Sequence, residues 1–292
     1  MSAPAEPLAA EARVAPRRVL WALLRSPSGA VGLAIVLLLI VVALLAPAIA
    51  PYDPYRMASG PRLAAPSWDH WMGTDQLGRD VFSRVVYGSR LTLMIGTIAV
   101  GISLTAGLLL GLIAGYAGGW PERILMRLVD VVFSFTEIVI ALACLAILGV
   151  GLINAMIAIG IASIPFYARI THSVVLVEKN KPYFEAAIAA GASHLRLIFL
   201  HLLPNVIPTL IVVGTLGVST AVLAAAGLSF LGLGAQPPQP EWGFMLSSSR
   251  DLISRAPWMM IFPGLAIAIT VLGFNLLGDG VREVLDPRQR AR

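Results

Sequence analysis

The sequence predicts an all-α, polytopic membrane protein with six transmembrane helices, and three observations carry that prediction. Of the 292 residues, 58% are hydrophobic and only 13% charged, with a mean hydropathy of +0.83, far from the balance of a water-soluble domain. Five nearly uncharged stretches, residues 31–49, 91–117, 131–164, 202–234 and 256–278, reach the roughly 20 residues a helix needs to cross a bilayer core. The third is too long for one span, and Gly149, Gly151 and Asn154 near its middle suit a tight turn that divides it into two helices.

Residues 1–29 form a polar N-terminal segment carrying Arg13, Arg17, Arg18 and Arg25. The first span, residues 30–50, ends in Ala48-Ile49-Ala50, which looks like a signal-peptidase site. Pro51 directly after it is a poor cleavage context and the polar leader is long, so this span reads as an uncleaved anchor.

Residues 51–90 form a long loop. Within it Thr74 is expected to cap a helix with Leu77, Val81, Phe82, Val85 and Val86 on one side and Arg79, Asp80, Ser83 and Arg84 on the other, lying along the membrane surface. His70 with Asp69 and Asp75 is too sparse a set for a metal site, whereas Trp68 and Trp71 suit the membrane–water interface.

The second span carries Gly107, Gly111 and Gly115, a stripe without side chains along which another helix approaches closely. Glu137 lies inside the third span, where an ionised carboxylate needs protein, water or a partner charge around it. Two readings stay open: it lines a polar translocation path, or it snorkels or pairs with Arg127 or Arg169. Cys144, the single cysteine, excludes an internal disulfide and reads as a small apolar side chain within a span.

The net charge of +5 is spread through loops rather than gathered with aromatics on one face, which argues against nucleic-acid binding. With both termini on the cytoplasmic side, the inner segments hold fourteen Lys and Arg residues (Arg13, Arg17, Arg18, Arg25, Arg123, Arg127, Arg169, Lys179, Lys181, Arg196, Arg282, Arg288, Arg290, Arg292). The outer ones hold seven (Arg56, Arg62, Arg79, Arg84, Arg90, Arg250, Arg255), and the bias favours both ends inside.

Residues 182–208, PYFEAAIAAGASHLRLIFLHLLPNVIP, are too polar at their start to span. Pro182 suits a first helical position, Glu185 sits in the positive first turn and a run of alanines favours helix. Gly191 permits a left-handed stop, and Ser193 caps a second run, His194 to His201, leading into Pro204. A short alanine-faced helix in such an elbow is a stiff rod that another protein's groove can grip. His194 and His201, seven apart, face one way but lack the further donors a metal site requires.

Glu185-Ala186-Ala187, then Gly191 and Leu203-Pro204, resemble the EAA motif of ATP-binding-cassette (ABC) importer permeases, with His201 as in the peptide/nickel subfamily. The likeness extends through Gly73-Thr74-Asp75, Gly78-Arg79-Asp80, Ser83-Arg84, Leu125-Met126-Arg127 with Asp130, Leu231-Gly232-Leu233-Gly234, Gln236-Pro237-Pro238 and Asn275-Leu276-Leu277-Gly278-Asp279. Together these are similar to the C-type permeases of dipeptide and oligopeptide importers. Thr136-Glu137 departs from the family, which commonly has a proline there, so helix geometry at that point is in question.

The resemblance implies the type I importer permease architecture, with residues 91–278 a five-helix core, 182–204 a cytoplasmic coupling segment and 279–292 a cytoplasmic tail. It implies that Tyr183, Phe184, Glu185, Ala186, Ala187, Gly191, Leu203 and Pro204 couple to an ATPase. It also implies a related second permease, two ATPase subunits (or one two-domain ATPase) and an extracytoplasmic binding protein as partners in a bacterial cytoplasmic membrane. The chain has no phosphate loop, no metalloprotease His-Glu pair and no Gly-x-Ser-x-Gly, so it is expected to be non-catalytic and without a cofactor, ATP and Mg²⁺ belonging to the partners. A stand-alone secondary transporter or channel is the alternative; it would not need the elbow.

Overall fold

The computed structural model describes residues 16–285; the expectations for residues 1–15 and 286–292, with Arg13, Arg288, Arg290 and Arg292, lie outside them. The described chain is helical, with one isolated bridge between Thr74 and Asp80. In order come α1 (Pro16–Arg25), α2 (Pro27–Leu44), α3 (Ala46–Ile49), α4 (Val81–Ala117), α5 (Gly119–Phe133), α6 (Glu137–Leu148), α7 (Leu152–Lys179) and α8 (Pro182–Ala189). After α9 (His194–Arg196), a π turn (Leu197–Leu202) runs into α10 (Leu203–Phe230), followed by α11 (Trp242–Ser249), a 3₁₀ turn (Arg250–Leu252) and α12 (Trp258–Leu285). Five helical stretches are long and apolar enough to cross a membrane, and the pair α5–α6 supplies a sixth if counted as one broken span.

Without water between them, helices in a bilayer associate through close packing, and small residues set the seams. A Cβ on Gly107, Gly111 or Gly115 would lie 2.5 Å from Tyr167 Cβ, 2.5 Å from Ala168 O and 2.8 Å from Val175 Cγ1 respectively. The glycine stripe of α4 is therefore pressed against α7. At a second seam α2 crosses α12: a Cβ on Gly32 would be 2.2 Å from Leu277 N, and one on Gly280 2.3 Å from Gly29 Cα. Arg90 at the start of α4 donates through Nε to Ala43 O (2.5 Å) at the end of α2. The start of α2, the end of α12 and the elbow formed by α8 and α9 consequently lie at one end of the bundle, and residues 51–80 with α11 lie at the other, the cap end.

The cap corrects one expectation. The separate surface helix capped by Thr74 does not exist; Leu77 lies in a turn, and the helix begins at Val81 and continues without a break as α4. Asp75 Oδ1 accepts from Leu77 N (2.8 Å) and Arg79 N (2.9 Å), folding a turn that Gly78 completes at φ +71°. Asp80 is the true N-cap, its Oδ2 accepting from Ser83 N (2.7 Å).

The polar side of that segment is not solvated either: Arg79, Asp80, Ser83 and Arg84 are buried. Arg79 Nε donates to Asp75 Oδ2 (2.6 Å). Arg84 reaches Pro54 O (2.9 Å), Pro238 O (3.3 Å) and Gln239 O (3.3 Å). His70, expected in a solvated loop, is buried with Nδ1 2.9 Å from Asp80 Oδ1. Buried charges persist only when paired and hydrogen-bonded, and here they tie the loop, α4 and residues 238–239 into one cap. Glu241 and Trp242 extend it. The first caps α11 by accepting from Gly243 N (2.9 Å) and Phe244 N (2.8 Å), and the second donates from Nε1 to Val85 O (2.9 Å).

The third span also departs from the expected single helix starting near residue 131. α5 and α6 meet at 91° across residues 134–136, and α6 alone, 12 residues, is about 18 Å long. Ser134 Oγ turns back to Val131 O (2.7 Å) and Thr136 is extended at φ −67°, ψ 143°. The chain thus breaks at Phe135-Thr136 without a proline. The division at Gly149 and Gly151 is as expected, both at positive φ (+84° and +143°).

Candidate functional site

The elbow follows from its residues. Lys181 is extended, Pro182 opens α8, and Glu185 sits in the first turn. Phe184, 2% exposed, anchors the helix in the same apolar cluster as Leu197, Leu202 and Val206, while Glu185, Ala186, Ile188 and Ala189 face outward. Gly191 at φ +77° closes α8 through Gly191 N to Ile188 O (2.9 Å) and Ala192 N to Ala187 O (3.1 Å), satisfying carbonyls a helix end leaves open. Ser193 caps the next turn, its Oγ accepting from Arg196 N (3.4 Å). The second run does not end at His201: the π turn carries it unbroken from His194 through Leu203-Pro204 to Phe230. Asn205 Nδ2 meets His201 O (2.7 Å) inside this stretch.

Polar ties fasten the elbow to three helix ends. Glu178 accepts from Tyr183 Oη (2.5 Å) and Lys181 Nζ (2.6 Å), and Asn205 Nδ2 donates to Tyr183 Oη (3.1 Å). Lys179 Nζ donates to Gly115 O and Tyr116 O (2.9 Å each), capping the end of α4, and the Tyr116 hydroxyl is bonded to His194 Nδ1. Of the sequence-predicted coupling residues, Glu185 and Ala186 are presented outward, Phe184 anchors, and Ala187 is half-buried. Gly191 turns the chain, Tyr183 bonds back to α7 and α10, and Leu203 and Pro204 lie within the continuous helix. Glu178, Lys179 and Asn205 were missed; the one available signal was the Glu178–Lys181 spacing at the end of a helix.

Glu137 opens α6 and accepts a hydrogen bond from Ser163 Oγ on α7. Pairing with Arg169 is not what the structure holds: Arg169 donates to Asp130 Oδ1 from Nε (3.1 Å) and Nη2 (2.8 Å), with its guanidinium 4.5 Å from the Phe133 ring centroid. Among the described residues, Arg127 forms no ion pair with Glu137 either. A cleft of ≈ 260 Å³ at the α5–α6 bend is lined by Phe133, Phe135, Glu137, Ile140, Ala162, Ser163 and Phe166. Among the described residues, no three of His, Cys, Asp or Glu are grouped to hold a metal; His194 contacts Tyr116, and His201 lies beside Tyr183.

Residues 107–291 match the protein family described as binding-protein-dependent transport system inner membrane component. Residues 17–66 match the N-terminal TM domain of oligopeptide transport permease C. The chain is 47% identical over 261 residues to a dipeptide transport system permease protein of Alkalihalophilus pseudofirmus, covering 89% of this chain and 86% of the relative. It is 47% identical over 280 residues to a di/tripeptide transport system permease protein of Pseudomonas aeruginosa, with 94% and 92% covered. To a glutathione transport system permease protein of Pectobacterium atrosepticum it is 46% identical over 257 residues, with 88% and 85% covered. In fold it is similar to a chain of the inward-facing MetNI methionine ABC transporter, with a TM-score of 0.58 at 22% identity over 70% of this chain and 97% of that one.

Proposed function

The chain belongs to the family of binding-protein-dependent transport system inner membrane components and is a C-type permease subunit of an ABC importer, and from that premise we propose how its geometry serves transport. The elbow end is cytoplasmic, with both termini, and α8 is the coupling helix that docks on the ATPase. Two ATPase subunits, or one two-domain chain, hold ATP and Mg²⁺; this chain hydrolyses nothing. A homologous second permease completes an alternating-access path in the bacterial cytoplasmic membrane, and a binding protein delivers the solute at the cap end. The solute is a small peptide, the class that the names of the similar permeases share, and Glu137 faces its path.

The closed elbow carries this reading. Phe184 and the Glu178–Tyr183–Asn205 bonds hold α8 to the ends of α7 and α10, so a push on its outward face is delivered to two spans at once. A stand-alone carrier has no use for such a device. In the assembled, reconstituted importer, Glu185→Lys should leave the spans inserted, since a first-turn carboxylate contributes only about 0.3–1 kcal/mol to its helix. Substrate-stimulated ATP hydrolysis and uptake should fall together. Wild-type rates of both would refute the coupling role.

A further inference from the structure

The cleft at the α5–α6 bend has the composition of a receptor for a cation. Ser163, the partner of Glu137, stands eleven residues after Leu152 and sixteen before Lys179 on α7, roughly 16 Å and 24 Å from the two ends. A carboxylate at such depth is costly without a counter-charge. The Ser163 hydroxyl and the first turn of α6 stabilise the anion without cancelling it. Arg169, whose guanidinium touches the cleft's lining at Phe133, is already held by Asp130. Around the carboxylate stand Phe133, Phe135 and Phe166, and ring faces attract cations most strongly where water is scarce.

The donor set narrows the cation further. One carboxylate and one hydroxyl are too few oxygens for Ca²⁺ or Mg²⁺. A guanidinium seeks both oxygens of a carboxylate in a fork, and Ser163 Oγ already takes one lone pair of Oε1, so the fork would have to share that oxygen. A compact, three-donor ammonium fits one oxygen, a hydroxyl lone pair and apolar rings. We infer that the cleft is a receptor for a primary ammonium group. Resting on the proposal that Glu137 faces the transported solute, the group it takes in transport is the free amino terminus of a peptide.

The test uses the complete importer with Cys144→Ala and Ile140→Cys in the permease, Ile140 being a cleft residue one turn from Glu137. The thiol is labelled in parallel with 2-aminoethyl methanethiosulfonate, a primary ammonium, and neutral methyl methanethiosulfonate. Any change in thiol reactivity affects both reagents and cancels in their rate ratio. Adding Glu137→Gln, nearly isosteric, should lower the cationic-to-neutral ratio about tenfold, as expected for one contact charge discounted for screening. Phe166→Leu and Ser163→Ala, each of which leaves the carboxylate in place, should lower it by less.

An unchanged ratio in Glu137→Gln overturns the inference, and so does an equal fall in Ser163→Ala, which would mean that the cleft had merely been reshaped. Dialanine uptake is measured in the same proteins. Wild-type uptake by Glu137→Gln beside a fallen ratio retires the path reading and leaves the ammonium receptor standing.

Discussion

Gly191 allows the elbow to be loosened without touching anything else. At φ +77° it is in the left-handed region, and a Cβ there would meet nothing within 4 Å, so substitution costs backbone strain alone. For a residue with a Cβ that strain is about 1–2 kcal/mol, with β-branched valine at the upper end and asparagine, which tolerates the region, lowest. The two closing bonds, Gly191 N to Ile188 O and Ala192 N to Ala187 O, contribute about 0.5–1.5 kcal/mol each. Strain and closure are therefore of one size, and each 1.4 kcal/mol moves the closed-to-open ratio about tenfold.

Stimulated ATP hydrolysis and uptake, measured in proteoliposomes at equal permease abundance, should fall in the order Gly, Asn, Ala, Val. Gly111→Val is the contrasting control. Its Cβ would lie 2.5 Å from both Ala168 O and Thr171 Cβ on α7, so it should lose folded protein rather than coupling. Full uptake by Gly191→Val, or equal damage from Asn and Val, would refute the strain argument.

Two further outcomes are expected. In a Cys144→Ala background, a cysteine at Asp251, whose side chain is 86% exposed at the cap end, should react with an impermeant thiol reagent added outside intact cells. One at Leu195 on the elbow, 68% exposed, should not, and the reverse pattern would invert the proposed orientation. The second outcome concerns Glu241, whose carboxyl burial pushes above the ordinary 4.5 although Gly243 N, Phe244 N and the Ser229 side chain pull it down. The folded state thus binds the proton more tightly than the unfolded chain, so the stability linked to this group is full below about pH 4.5 and is lost as pH rises through the higher folded value. The melting temperature of the wild type relative to Glu241→Gln should rise as pH is lowered from about 7 through the carboxylate range; a gap that stays constant or moves the other way refutes it.

The helix count, the α4 glycine stripe and the Gly191 stop were legible because each depends on local rules: bilayer thickness, missing side chains and a positive φ. The continuity of α4 through Val81–Arg90 was not. Its charges look like the wet side of a surface helix, and what dries them is Pro54, Pro238 and Gln239, remote in sequence. The bend before Glu137 carries no proline to announce it, and the Gly- and Pro-rich stretch 231–240 hides the short α11 behind it. At the elbow, the outward residues were readable from the motif. Tyr183 was read with them, yet it bonds to Glu178, whose role emerges only once α7 and α10 stand side by side.

The seam of Gly107, Gly111 and Gly115 against α7 has a mechanical consequence. Two rods touching backbone to backbone, and strapped at one end by Lys179 on Gly115 O and Tyr116 O, have no slack in which to slide. Swung together, they act as one lever. α4 has 37 residues and so an arm of about 55 Å, and a swing of about 10° about one end carries the other through about 10 Å. A small stroke near the pivot is thereby geared up to a displacement wide enough to open or shut a passage for a molecule of peptide size.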